Sequence, residues 1–241
     1  MDPTKLLDQF LGGNAQGMLH QTRGRANQAM DALGGLGGFA GGAASGGLLA
    51  LLLGNKKARK MAGGLVGYGG AAALGALAYK AYENWKQGQN AASAPVATPS
   101  EIQQADPAFL PTAAPSANGQ PFELALMRAM IGAAKADGHV DAAEQKLLFE
   151  QVEKLDLDLD AEAKAFVFDA LAKPIDIAEI VAAAQSQEQA AELYLASRLA
   201  IDPDQAAEKA YLEALAHRLK LPRELVSHLD RQAVAALPAP A

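Results

Sequence analysis

The chain has 241 residues, enough for one ordinary domain and something more, with a formal net charge of −6 and no cysteine. Disulfides, thiolate nucleophiles, cysteine-based zinc sites and a lipobox anchor are thereby excluded. The charge is split: residues 1–90 hold nine Lys/Arg against four Asp/Glu, residues 91–241 hold twelve against twenty-three, and 20 of the 23 glycines precede residue 91. Two compositions in one chain imply two physical environments. The basic part suits an anionic membrane surface, and the acidic part would be repelled by phosphates, which argues against nucleic acid as a partner.

Residues 1–31 form a polar N-terminal segment in which Leu6, Leu7, Phe10 and Leu11 predict a short amphipathic helix. Apolar residues become continuous only after Asp31, so a cleaved signal peptide is not expected.

Residues 32–87 read as a Gly-rich, membrane-associated segment. Neither Ala32 to Asn55 nor Met61 to Tyr79 contains a charge. Each run is roughly long enough to cross a hydrocarbon core of about 30 Å at about 1.5 Å per residue. Small residues recur every fourth position, at Gly34, Gly38, Gly42 and Gly46, then at Gly63, Gly67, Ala71 and Gly75. That step lines one helix face with small side chains, so two backbones can approach closely and copies can associate as homo-oligomers. In water each glycine would cost a helix about 1 kcal/mol relative to alanine, which disfavours a solvated helix here. Tyr79, Tyr82 and Trp85 with Lys80 and Lys86 have the pattern of an interfacial belt.

Magnitudes rank the two runs. The first carries strongly apolar residues that include Leu36, Phe39, Leu48, Leu49, Leu51, Leu52 and Leu53. They supply about 3 kcal/mol of insertion. The second has Leu65, Val66, Leu74 and Leu77 and about half as much. The basic cluster Lys56, Lys57, Arg59 and Lys60 prefers the cytoplasm. One span at 32–55 then leaves the C-terminal domain cytoplasmic, whereas a full hairpin places it outside.

Residues 88–121 read as a Pro/Ala-rich disordered linker with six of the twelve prolines. Lacking apolar periodicity, it is expected to be an extended tether reaching on the order of 100 Å at about 3.1 Å per residue.

Residues 122–237 predict a compact bundle of about seven helices, and the fold class is all-α. Phe122 to Ala136 is apolar almost all round, as a central buried helix would be. Capping boxes pair Asp141 with Glu144, Asp176 with Glu179 and Asp202 with Gln205, the last with Pro203 at the first helical position. Pro174 and Pro222 punctuate between helices. Ala-Asp-Gly-His-Val-Asp-Ala-Ala-Glu at 136–144 is echoed by Ile-Asp-Pro-Asp-Gln-Ala-Ala-Glu at 201–208, an internal pseudo-duplication of two helix pairs joined by acidic turns.

The Ala-Asp-Gly-His-Val-Asp-x-x-Glu turn, its second copy near Asp202 and Glu208, and the Gly-rich basic front end resemble the YebE-like family of bacterial inner-membrane proteins. Their C-terminal part is similar to the tellurite-resistance TerB-like helical domain. The resemblance implies an all-helical domain with acidic residues at paired turns, binding divalent metal and serving membrane-associated stress responses. It also implies a bacterial inner-membrane location. In the second turn Pro203 stands where the first has glycine.

Asp137, Asp141, Glu144, Asp202, Asp204 and Glu208 are the candidate oxygen ligands for Ca²⁺ or Mg²⁺. Capping explains the same residue types without metal, because Asp141 and Asp202 sit at N-caps and Glu144 and Glu208 in first helical turns. The spacing is not that of an EF-hand loop. His139 lies beside these carboxylates, whereas His20, His217 and His228 are dispersed. No nucleophile elbow or phosphate loop is present, so catalytic residues, an organic cofactor and enzymatic activity are not expected. The function expected is a membrane-tethered interaction or sensing module that meets membrane lipid and a protein partner. The alternative is a divalent-metal-binding protein.

Overall fold

The computed structural model describes residues 2–11, 71–98, 101, 107–109, 114–136, 161–201 and 203–236. Among them are eight α-helices, one 3-10 turn and no strand, as the all-α expectation required. In chain order these are α1 (Pro3–Leu11), α2 (Ala71–Lys86), the turn Pro107–Phe109, α3 (Phe122–Ala134) and α4 (Ala161–Ala172). They continue as α5 (Ile177–Ala182), α6 (Gln187–Ala200), α7 (Ala206–Arg218) and α8 (Arg223–Ala236). The 32–55 run and the first acidic turn lie outside the described residues.

The centre of the bundle is α6, which packs on α2, α3, α7 and α8. Every residue from Gln189 to Ala200 is buried, so this helix has no solvent face. Ser186 starts it, its hydroxyl accepting the Gln189 N–H at 3.2 Å. Beside it α3 buries eleven residues, as its all-round apolar sequence requires. Full burial of Leu126, Leu193, Leu195 and Leu199 contributes about 1.5–3 kcal/mol each.

The predicted N-terminal helix forms. Asp2 accepts the Thr4 and Lys5 N–H groups at 3.1 and 3.2 Å, and Pro3 takes the first helical position. Leu6 and Leu7 are buried in the bundle core, and Thr4 Oγ1 donates to Glu123 at 3.0 Å. An isolated helix of this length is marginal in water, so docking on α2 and α3 sustains it.

The second apolar run departs from expectation. Its described end is the start of α2, and α2 packs against α8 and α6. Leu74, Leu77 and Ala78 face protein, buried in the core. The aromatic residues expected at a lipid interface instead pack on one another and on Phe109. Tyr79 and Tyr82 lie 5.6 and 5.4 Å from the Phe109 ring, and Trp85 lies 5.4 Å from Tyr82. Lys80 meets Glu101 at 2.8 Å, and Lys86 sits 4.8 Å over Tyr82. A protein core and a lipid tail region both exclude water, and the composition of one helix does not separate them. Among the described residues no helix is long and apolar enough to cross a membrane.

Two capping expectations differ in outcome. Asp176 caps α5, accepting from Ala178 and Glu179 at 2.8 and 3.2 Å, which is the N-cap half of the expected box. Asp176→Ala is expected to lower stability by about 1 kcal/mol. The urea midpoint should move with an unchanged slope; no movement would mean that packing of Ile180 alone holds the helix. At α7 the box sits three residues later than predicted. Gln205 is the N-cap, and the Glu208 carboxylate accepts its N–H at 3.3 Å, while Pro203 stays outside the helix. Asp202-x-x-Gln205 and Gln205-x-x-Glu208 overlap, and the charged acceptor makes the stronger bond to a backbone donor.

Candidate functional site

The acidic turns contribute little that is described. Asp137, Asp141, Glu144 and Asp202 lie outside the described residues, as does His139. Asp204 is exposed and Glu208 closes the α7 cap. Among the described residues no three metal-ligating side chains cluster.

A small cleft between α3, α4 and α5 gathers Arg128, Lys135, Lys173, Asp169, Asp176 and Glu179 around about 50 Å³, room for a few waters. Its charges serve the fold. Arg128 donates to Gln120 at 3.0 Å, stands 3.6 Å from Glu179 and lies 5.1 Å over the Phe166 ring. Lys135 donates to the Leu171 carbonyl at 2.7 Å and to the Lys173 carbonyl, closing the C-terminal end of α4. Burial lowers its ammonium pKa. Lys173 pairs with Asp169 at 2.7 Å.

A second constellation forms where α2 and α8 meet. Gly88, at φ +67°, ends α2: its N–H donates to Trp85 at 2.9 Å, and that of Gln89 donates to Asn84 at 3.1 Å. The chain then turns back at Asn90, whose side chain accepts the Ala92 N–H at 2.9 Å, and runs along α8 without secondary structure. On α8, Leu225, Leu229, Ala233 and Ala236 form the apolar stripe, and His228 and Gln232 are buried on the same side. Where this non-helical segment is buried, at Ala94 and Ala97, its backbone groups need partners, and these polar side chains supply them.

His228 Nε2 meets the Gln89 carbonyl at 3.0 Å, and Arg231 Nε donates to the Ala94 carbonyl at 2.7 Å. Gln232 uses both ends of its amide, donating to Pro95 at 2.9 Å and accepting from the Ala97 N–H at 2.9 Å. Asn84 Nδ2 donates to the same Pro95 carbonyl at 2.8 Å. Farther along, Gln189 donates to the Ala114 and Pro115 carbonyls at 3.3 and 3.2 Å, and Gln185 to Pro115 at 2.7 Å. Phe109 is buried between these two clamps in sequence. Over its described stretches, the linker expected to be an extended tether is therefore held on the bundle. Side chains more than ninety residues away in sequence, His228, Arg231 and Gln232, supply much of the reason.

Between α6 and α8 a third polar group is structural. Tyr194 donates to Asp230 at 2.9 Å, Arg198 Nε stands 3.5 Å from the same carboxylate, and Arg198 Nη1 donates to the Ile201 carbonyl at 2.9 Å. Burial raises the Asp230 pKa in spite of both neighbours and pushes Tyr211 up to about 12.

The sequence reading passed over Asn84, His228, Arg231 and Gln232. The one available signal was local: His228 and Gln232, four residues apart, interrupt the apolar stripe of α8. A buried polar pair at helical spacing needs something to hydrogen-bond.

Fold and surface together define an all-helical bundle whose polar side chains bind the main chain of non-helical segments. The chain belongs to the family described as a protein of unknown function, DUF533, whose model matches residues 38–233. It is similar to the "Uncharacterized protein in ampR 5'region" of Yersinia enterocolitica, 31% identical over 106 residues, covering 44% of this chain and 75% of that protein. No solved structure matches it. The family match runs from the Gly-rich segment into α8, so it takes in both clamps and leaves α1 outside.

Proposed function

We propose that this protein is a membrane-tethered interaction or sensing module of the YebE-like kind, working at the bacterial inner membrane in envelope or oxyanion stress. One span at 32–55 is the tether, and the bundle is the part that meets a protein partner. Its cytoplasmic side follows from the basic cluster at 56–60. The observation that carries the interaction reading is the use of buried Asn84, His228 and Gln232 to bind main chain. Hydrogen bonds to main chain give affinity for a polypeptide, while pockets for its side chains give specificity. The inward packing of Leu74 and Leu77 favours one span over a hairpin.

Cell fractionation with protease added to spheroplasts tests the tether. The chain should sediment with membranes, resist carbonate extraction, and keep its bundle protected until the cells are opened. Recovery of the full chain in the soluble fraction, without vesicle affinity, would remove the tether. Replacing Gly38, Gly42 and Gly46 together by leucine should abolish cross-linked homo-oligomers in membranes without releasing the chain, because close backbone approach is lost. Undiminished cross-linking would place self-association elsewhere.

A further inference from the structure

We propose that the α2–α8 face is a binding groove for uncharged Ala-Pro-x-Ala segments of a partner protein, with residues 89–98 as its built-in occupant. The proposal rests on the interaction reading above and names the chemistry of the partner. Asn84, His228 and Gln232 are 1%, 2% and 0% exposed, positions where a helical bundle ordinarily places apolar side chains. Their hydrogen bonds go to the backbone of 89–97, a feature every polypeptide shares.

What the groove demands of side chains is small. Ala94 and Ala97 are buried at 2% and 6%, so those two positions must be small, whereas Val96 between them is 37% exposed and open to variation. Pro95 suits its place because it has no N–H to orphan, and its carbonyl accepts from both Asn84 and Gln232. Nδ1 of the buried His228 ring has no hydrogen-bond partner. The internal segment retains its place by connection, which gives it an effective concentration on the order of millimolar. The face is thus closed to weak ligands and open to a partner presented at high local concentration.

Fluorescence anisotropy with a labelled peptide of residues 89–98 tests this on the full-length chain. The comparison chain has residues 91–98 replaced by a Gly/Ser stretch of equal length, with helicity and cooperative unfolding checked by circular dichroism. The vacated chain should bind the peptide at least about tenfold more tightly than the intact chain. Adding Gln232→Ala to the vacated chain should weaken binding by a similar factor. A host peptide that carries Ala-Pro-Thr-Ala and nothing else of the segment should bind comparably, and one with Ala94→Glu and Ala97→Glu should not bind. A folded vacated chain that ignores the peptide at millimolar concentration overturns the proposal.

If the vacated chain does not fold, hydrogen exchange at the Ala97 amide of the intact chain replaces it. Millimolar peptide should accelerate that exchange, and an unchanged rate overturns the proposal equally. Self-association of the vacated chain that excludes the peptide would assign the groove to a second copy and overturn the partner named here. These measurements are made on the chain in detergent and read no membrane attachment, so their failure is separate from failure of the tether.

Discussion

Gly75→Leu is expected to destabilise the chain by about 3–5 kcal/mol, the sum of overpacking and the loss of one buried aromatic anchor. A glycine inside a helix costs about 1 kcal/mol relative to alanine, so its presence in α2 needs a reason. The reason is close approach. A Cβ at Gly75 would overlap the Phe109 carbonyl oxygen, a backbone atom that cannot swing aside as a side chain can. Any larger residue must push the Pro107–Phe109 turn off the helix, and Phe109 then leaves its contacts with Tyr79 and Tyr82. Urea denaturation with tyrosine and tryptophan fluorescence reads both the lost stability and the changed aromatic packing. Gly88→Ala is the control, because nothing lies within 4 Å of its Cβ position and its cost comes only from φ +67°. If Gly75→Leu were as mild as the control, the turn would not be seated on α2.

Glu192→Gln is expected to make the chain more stable than wild type at pH 8 and little different near pH 4. The residue is 1% exposed on the central helix, its Oε1 has no hydrogen-bond partner, and burial, aided by the charge of Glu188, holds its pKa well above the ordinary carboxyl range. The folded chain therefore binds this proton more tightly than the unfolded chain does. The stability it contributes is complete below the ordinary value near 4.5 and is lost as pH rises through the raised folded value. Asp230, also raised by burial, acts in the same direction. Glu101 acts in the opposite direction: the Lys80 ammonium lowers it to about 2, so its contribution is present above 4.5 and is lost as pH falls toward 2. An unpaired buried charge costs on the order of several kcal/mol, and glutamine has the shape of the neutral acid without its ionisation. Urea midpoints from pH 4 to 9 should fall more steeply for wild type than for the variant, which keeps only the slope that Asp230 contributes. Parallel curves would mean that Glu192 is ionised in the fold at no cost.

The parts of the fold that were legible in the sequence rest on interactions within a few residues. Leu6, Leu7, Phe10 and Leu11 mark α1, Asp176 starts α5, and the almost all-round apolar character of Phe122 to Ala136 marks α3 as a buried helix. The misplaced box at α7 shows the limit of that method. Two overlapping patterns satisfy the same rule, and the helix begins at the one whose Glu208 carboxylate accepts the Gln205 N–H.

Taken alone, the residue order determines that this chain is helical, that its halves differ in charge and glycine content, and that α3 is a core helix. Those properties follow from side-chain periodicity and local hydrogen bonding, which act over one or two turns. Tertiary structure alone decides that Leu74, Leu77 and the Tyr79–Trp85 cluster face protein, since apolar surface does not specify what excludes water from it. It likewise decides that Ala94 to Ala97 is held, because the groups that bind it come from α8, far along the chain. A proline-rich stretch has no periodicity of its own to report such a docking site, and only the assembled face of α2 and α8 provides one.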